Sequence, residues 1–427
     1  MMRFSITLLI VLSSLTTWLP AQVMDFERAP IYYSKTDPQD PLTKLDFKKL
    51  LVPCPDERTY LERVLNKLEV PLESQVLVFS KTSHQNGRIS PDTPRAIYFN
   101  DEVYVGWVQG GLVEFASFDP ALGMVFYTLD PRDKQAPTLE RPQTCLNCHA
   151  GSRTRYVPGL MVRSVYPDVS GYPILSNGSF MTDHTSPLHE RWGGWYVTGF
   201  HGDTRHMGNV IAEDLGDEIR MDTAAGSNIT ELGGLLDTRP YLRDSSDIVS
   251  LMVLEHQTSM HNALLKAGLA IRQGEYNQKR LYAELKEILP GTYSGSLASI
   301  AESQATRVVQ QILFCDEMEI GDDGIEGDET FQTAFQYNKK TNTDGKSLKD
   351  FHLYERLFKY RCSYMIYSQA FEVLPRQFKE IVYDKLWQAL TDETPDEAYS
   401  HLRDWEKETI RSILVETKSD LPAYWKS

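Results

Sequence analysis

The chain has 427 residues, and 59 Asp and Glu against 44 Lys and Arg give it a formal charge of −15. That balance excludes the electrostatic footprint of nucleic-acid binding and of docking on anionic membranes. Hydrophobic residues at 41% supply ample material for a buried core.

The first stretch reads as a leader. Arg3 gives a short positive start, Ile6 to Leu12 is nearly all apolar, and the greasy run continues to Leu19. Pro20-Ala21 then offers a small residue at a cleavage site before Gln22, so 1–21 is expected to be a secretory signal peptide. It is short and interrupted by Ser and Thr for a spanning helix, and an uncleaved anchor is the alternative. No later apolar run approaches the length of a bilayer span. The mature protein is therefore expected to be soluble and either periplasmic or otherwise exported.

Residues 22–72 read as a Pro-rich arm followed by a helix. From Asp56 the apolar residues Tyr60, Leu61, Val64, Leu65 and Leu68 recur at helical spacing. A β-rich module is expected over 73–240. Val, Tyr, Phe and Trp runs at 75–80, 95–99, 103–109, 112–118 and 123–129 alternate with short Asn, Asp, Gly and Pro breaks, the pattern of an antiparallel meander. Further strands are expected at 160–165 and 192–199. Residues 213–245 are charged and turn-rich, a linker pattern. The remainder, 241–427, reads as helical, with helices over 247–273, 296–318, 347–367, 375–390 and 403–416. The expected fold class is α+β: a β-meander-rich module followed by a helical C-terminal domain.

The meander leads into Cys145-Leu146-Asn147-Cys148-His149. Cys-x-x-Cys-His is the attachment spacing of a single covalent haem c. Two thiols two residues apart can add across the two vinyl groups of one porphyrin. The histidine that follows then falls beneath the ring as the proximal ligand of iron. Two other uses of paired cysteines compete. A structural zinc wants four ligands, and no second Cys-x-x-Cys is present. A thioredoxin-like pair would open a helix within a βαβ unit, whereas this one follows strands and a Pro-rich loop. Cys54, Cys315 and Cys362 remain; the last two fall in helical stretches and are expected as buried free thiols.

What fills the other face of the iron decides function. His206 and Met207, in a loop that also holds His201, lead as metal ligands. Met161 and Met181 are alternatives better explained by packing. On the first long helix Met252, His256 and Met260 share one face, while His261 lies about 140° from His256; ordinary core is the simpler account of that stripe. Haem propionates call for cationic partners, and Arg153 and Arg155 follow the motif closely, with Arg163 and Arg191 as alternatives. The acidic loop 319–328 is read as solvated, because Gly324 and Gly327 break the EF-hand ligand order.

The stretches Pro94–Val108, Cys145–His149, Thr182–Gly199 and His206–Asn209 resemble a group of exported bacterial proteins with a monohaem cytochrome c domain. Leu254–Asn262 and Leu374–Leu390 resemble the same group. The resemblance implies haem attachment through Cys145 and Cys148, axial His149 and general electron transfer; it supplies no substrate. The order of strands, haem motif and turns is also weakly similar in architecture to haem-bearing PAS-like sensor domains. The lead expectation is a one-electron carrier working with a periplasmic redox partner protein. A peroxidase-like haem enzyme and a haem-based gas or redox sensor are the rivals.

Overall fold

The computed structural model describes residues 24–51, 56–132, 137–216, 218–392 and 396–426. The expected leader and Cys54 lie outside the described residues. The meander forms as expected. Strands β1 (Val76–Val78), β2 (Arg95–Phe99), β3 (Val103–Trp107), β4 (Val113–Asp119) and β5 (Gly123–Leu129) make one antiparallel sheet in sequence order. Side-chain carboxamides and carboxylates set its turns. Asn100 Oδ1 accepts from the amides of Glu102 and Val103, and Asp119 Oδ1 from those of Ala121 and Leu122.

Nearly every strand residue is buried, because both faces of the sheet are covered. The N-terminal arm, with helices α1 (Phe47–Leu51) and α2 (Glu57–Lys67), closes one face. Phe47 packs on Phe115, the Tyr33 hydroxyl donates to the Met124 carbonyl, and the Tyr127 hydroxyl donates to Asp40. The register places Arg95, Ile97, Tyr104, Gly106, Glu114, Ala116, Phe118 and Phe126 on the opposite face. That face receives the Cys-x-x-Cys-His segment, which forms the short helix α3 (Leu146–His149), and one long helix further on.

Beyond α3, β6 (Arg163–Val165) pairs with β7 (Ser179–Met181), Arg163 opposite Met181. The strand expected at 192–199 is instead an irregular segment. Gly194 takes φ +84° and its carbonyl accepts from the amides of Phe79 and Ser80, so the chain runs against β1 by isolated bridges. A Cβ on Gly193 would lie 2.1 Å from the Val165 carbonyl, and so close an approach excludes a regular ladder of side chains. The short pair β8 (Glu213–Asp214) and β9 (Ile219–Arg220) follows.

Helix α4 (Ile248–Leu285) is capped by Asp247, whose side chain accepts from the Ser250 amide at 2.8 Å. Its first half is buried almost all round. It runs twelve residues past the expected end at Gln273, because its polar second half is held on one side only, where Leu297 packs on Gly274. Helix α5 (Gly295–Ile312) ends earlier than expected. Phe314 and Asp316 adopt positive φ, so Cys315 lies in a turn. After α6 (Glu329–Gln336) the helix expected at 347–367 is replaced by a hairpin, β10 (Phe351–Tyr354) and β11 (Arg356–Phe358). Leu353 and Glu355 sit in the left-handed region, and Phe351 stacks on Phe358 at 5.5 Å. Aromatic cross-strand packing outweighs helical spacing there. Helices α7 (Gln369–Glu372), α8 (Arg376–Thr391) and α9 (Asp404–Thr417) finish the chain.

The fold is thus α+β, with the sheet first and helices after. One buried cluster runs from Phe26 to Trp425. Among the described residues no helix is long and apolar enough to cross a membrane.

Candidate functional site

The site begins with a tight turn. Cys145 closes a 3-10 turn over Gln143–Cys145, and the four residues of α3 follow directly. This winding puts both thiols and the imidazole on about one turn of backbone. Cys145 is half-buried, Cys148 is exposed, and neither is paired. Burial pushes the Cys145 thiol above its ordinary value, with Glu114 adding to it. Neither sulfur is committed to a disulfide.

His149 rests on the sheet. Its ring lies 4.4 Å from that of Phe126, and its Nδ1 is 2.9 Å from the Gly159 carbonyl. A carbonyl can only accept, so Nδ1 carries the hydrogen and the lone pair is on Nε2. Burial holds the imidazole below its ordinary range, so it is neutral near pH 7. Nε2 has no hydrogen-bond partner among the described residues. A neutral imidazole anchored through one nitrogen and open at the other fits a metal-ligating histidine.

The chain between the two ends of that bond doubles back sharply. Arg155 and Tyr156 both take left-handed φ, and the Tyr156 amide donates to the Gly151 carbonyl. The Gly159 amide then donates to the His149 carbonyl at 2.8 Å, and the Thr154 hydroxyl donates to the same oxygen. Asn262 of α4 holds the next residue, accepting from the Leu160 amide at 2.9 Å and donating to its carbonyl at 2.7 Å. A Cβ on Gly159 would lie 2.4 Å from Asn262 Oδ1, so only glycine fits between helix and histidine.

Charge surrounds the motif. Arg95 and Glu114 form a 2.7 Å pair on the sheet, and both act on His149. Arg163 is half-buried, with Nε donating to Ser179 Oγ at 3.1 Å. Arg153 and Cys148 lie within its electrostatic reach, and burial first and Arg153 next lower its pKa. Arg153 and Arg155 are exposed. From Arg141 to Pro167 the sequence holds Arg153, Arg155 and Arg163 besides Arg141, and no acid at all.

The expected sixth ligands have hydrogen-bond partners of their own. Met207 is buried, and its sulfur accepts from Ser164 Oγ at 3.6 Å. Ser164 and Arg163 are neighbours on a strand and point to opposite faces. The Met207 sulfur is thus engaged from the buried Ser164 side of β6. His206 accepts from the Gly208 amide through Nδ1 and packs on His201 and Trp192. Burial pushes it down to about 3. His256 stacks on Phe314 at 4.2 Å, with Nε2 2.7 Å from Ser363 Oγ, so its stripe is core. His261 faces away from it and bonds the Tyr104 hydroxyl through Nδ1. Arg191, an alternative propionate partner, is buried against Glu255 at 3.0 Å instead.

Sequence reading missed Phe126, Gly159 and Asn262. The Pro158-Gly159 break hinted at a reversal, but nothing in the sequence links it to a helix a hundred residues later. Among the described residues no group of three or more His, Cys, Asp and Glu side chains is arranged to hold a metal ion by itself. No protein-family model, no curated protein and no solved structure matches the chain.

Proposed function

We propose that this chain is an exported monohaem c-type cytochrome. One haem is attached by thioethers to Cys145 and Cys148, with iron on Nε2 of His149. The observation that carries the reading is the state of that histidine. It is neutral, fixed through Nδ1 to a backbone carbonyl, and open at Nε2 beside two unpaired thiols. Haem requires only this one ligand from the motif, whereas a zinc site would need a converging set. When bound, the haem supplies a one-electron couple. The chain's part is to hold the imidazole, cover it with Phe126 and set the surrounding charge through Arg95, Glu114, Arg153 and Arg163. The work is one-electron transfer with a periplasmic redox partner, in line with the sequence resemblance.

The test is covalent haem content. Protein exported from a host with haem c maturation is expected to be coloured, to exceed the polypeptide mass by one haem, and to stain in a pyridine haemochrome assay. Cys145→Ala and Cys148→Ala weaken or abolish the stain. A colourless product of bare polypeptide mass sinks the reading.

One observation favours a second reading, haem-based binding of a small gas or peroxide. Met207, the leading candidate for the sixth ligand, has its sulfur engaged by Ser164. A haem that neither Met207 nor another side chain ligates would have one coordination position open to a small molecule. Added carbon monoxide or cyanide shifts the Soret band of an open site and leaves a six-coordinate carrier largely unchanged.

A further inference from the structure

We infer that Asn262 is a positioning residue for the candidate haem ligand: from α4 it fixes the Gly159 carbonyl under His149 and so keeps the imidazole turned with Nε2 outward. The last step rests on the haem reading above; the hold on His149 does not.

Residues 158–162 lie in no strand or helix, so their backbone polar groups need other partners. The Asn262 carboxamide takes both polar groups of Leu160 at once, as a neighbouring strand would. Those two bonds fix its orientation, since a flipped amide would set donor against donor. Leu160 itself is buried, so releasing its backbone leaves groups that water reaches poorly. Asn is a weak helix former, and Asn262 sits inside a helix segment flanked by buried His261, Ala263 and Leu264. Its contact with Gly159 is so close that no side chain fits there. The Gly159 carbonyl is thereby held on a rigid helix rather than on a loop. Partners of this second kind orient a metal-bound imidazole and raise its basicity; losing one typically costs 10–100-fold in metal affinity or activity.

Two variants test it. Asn262→Ala removes both bonds. Asn262→Asp keeps the shape and the bond from the Leu160 amide but turns the other into repulsion, so it serves if the alanine variant fails to fold. The first readout uses the full chain purified without haem. Nitrogen-resolved NMR of His149 is expected to show one tautomer, protonated at Nδ1, in the parent chain and a mixture in both variants. The second readout uses the haem-loaded chain. A weaker Nδ1–H bond makes a poorer donor to ferric iron, so the reduction potential rises, by about a tenfold change in the redox equilibrium or ~59 mV for one electron. Haemochrome content stays at the parent level. An unchanged tautomer and an unchanged potential in both variants overturn the inference. If the parent chain carries no haem, the function proposed above falls instead, and the NMR comparison alone decides whether Asn262 holds His149.

Discussion

The core under α4 and the Cys-x-x-Cys-His segment use histidine in opposite ways. In the core under α4, His256 has both ring nitrogens near partners: Nε2 is 2.7 Å from Ser363 Oγ, and Nδ1 is 3.5 Å from His184 Nδ1. Phe314 stacks against the pair, and Arg191 and Glu255 form a buried ion pair beside it. On the sheet, His149 has one nitrogen tied down and one open. The Ser363–His256 contact has the distance of a nucleophile and its base. Ser363 is nonetheless 0% exposed, so no substrate reaches it. A histidine becomes a site candidate through an uncommitted nitrogen beside groups it can work with, and of these two regions the His149 segment offers that.

The sharpest way to break this comparison is to truncate one side chain in each region. Arg191→Ala leaves the Glu255 carboxylate buried without its cation. Burial already pushes that carboxyl upward against the pull of Arg191. The expected loss is about 3–5 kcal/mol in urea unfolding, enough to threaten the fold. His149→Ala removes one hydrogen bond and one ring contact and is expected to cost about 1–2 kcal/mol. Equal losses in the two variants would show that the loop histidine is as structural as the core.

The same contrast explains what was legible in the sequence. The motif, the meander and α2 could be read because their signals are local: fixed spacing, alternating apolar runs, an Asp cap. The hairpin at β10 and β11 could not, because Phe351 and Phe358 look like a helical face until Phe335 and Tyr364 are packed against them. The expected iron ligands show a different limit of the sequence. His206 and Met207 sit in a loop rich in metal-binding residue types, and nothing in one dimension says that Ser164 and Gly208 already occupy their donor atoms. Asn262 carried no sequence signal for this role, since the role depends on a contact across 102 positions.

Titration sharpens the comparison at intermediate cost. Burial holds His206 at about 3, with repulsion from His201 and Arg205 adding to it. In the unfolded chain a histidine titrates near ~6.5. Below that value the unfolded state takes up a proton that the folded state refuses, so His206 destabilises the fold as pH falls from ~6.5 toward about 3. Several buried carboxyls act in the opposite sense over part of this range, so the effect must be read as a difference. Relative to His206→Asn, the parent chain is expected to lose about 1.4 kcal/mol per pH unit below ~6.5. A difference that stays constant from pH 6.5 to pH 4.5 would contradict the assignment.

The smallest effect expected is also the most discriminating for the iron. Met207 fills a buried space between Ser164 and Gly193, and its sulfur accepts one weak hydrogen bond. Met207→Leu nearly conserves volume, so it should cost less than about 1.5 kcal/mol. If Met207 is not a ligand, the haem-loaded variant keeps its oxidised and reduced spectra unchanged. If Met207 is a ligand, the weak red-end absorption of an iron–thioether bond disappears and the potential falls. The two outcomes cannot be confused with unfolding, because the substitution is mild. A lost red-end band in a folded Met207→Leu chain would move the loop at 206–209 from the core class into the site, and with it the separation between the two regions.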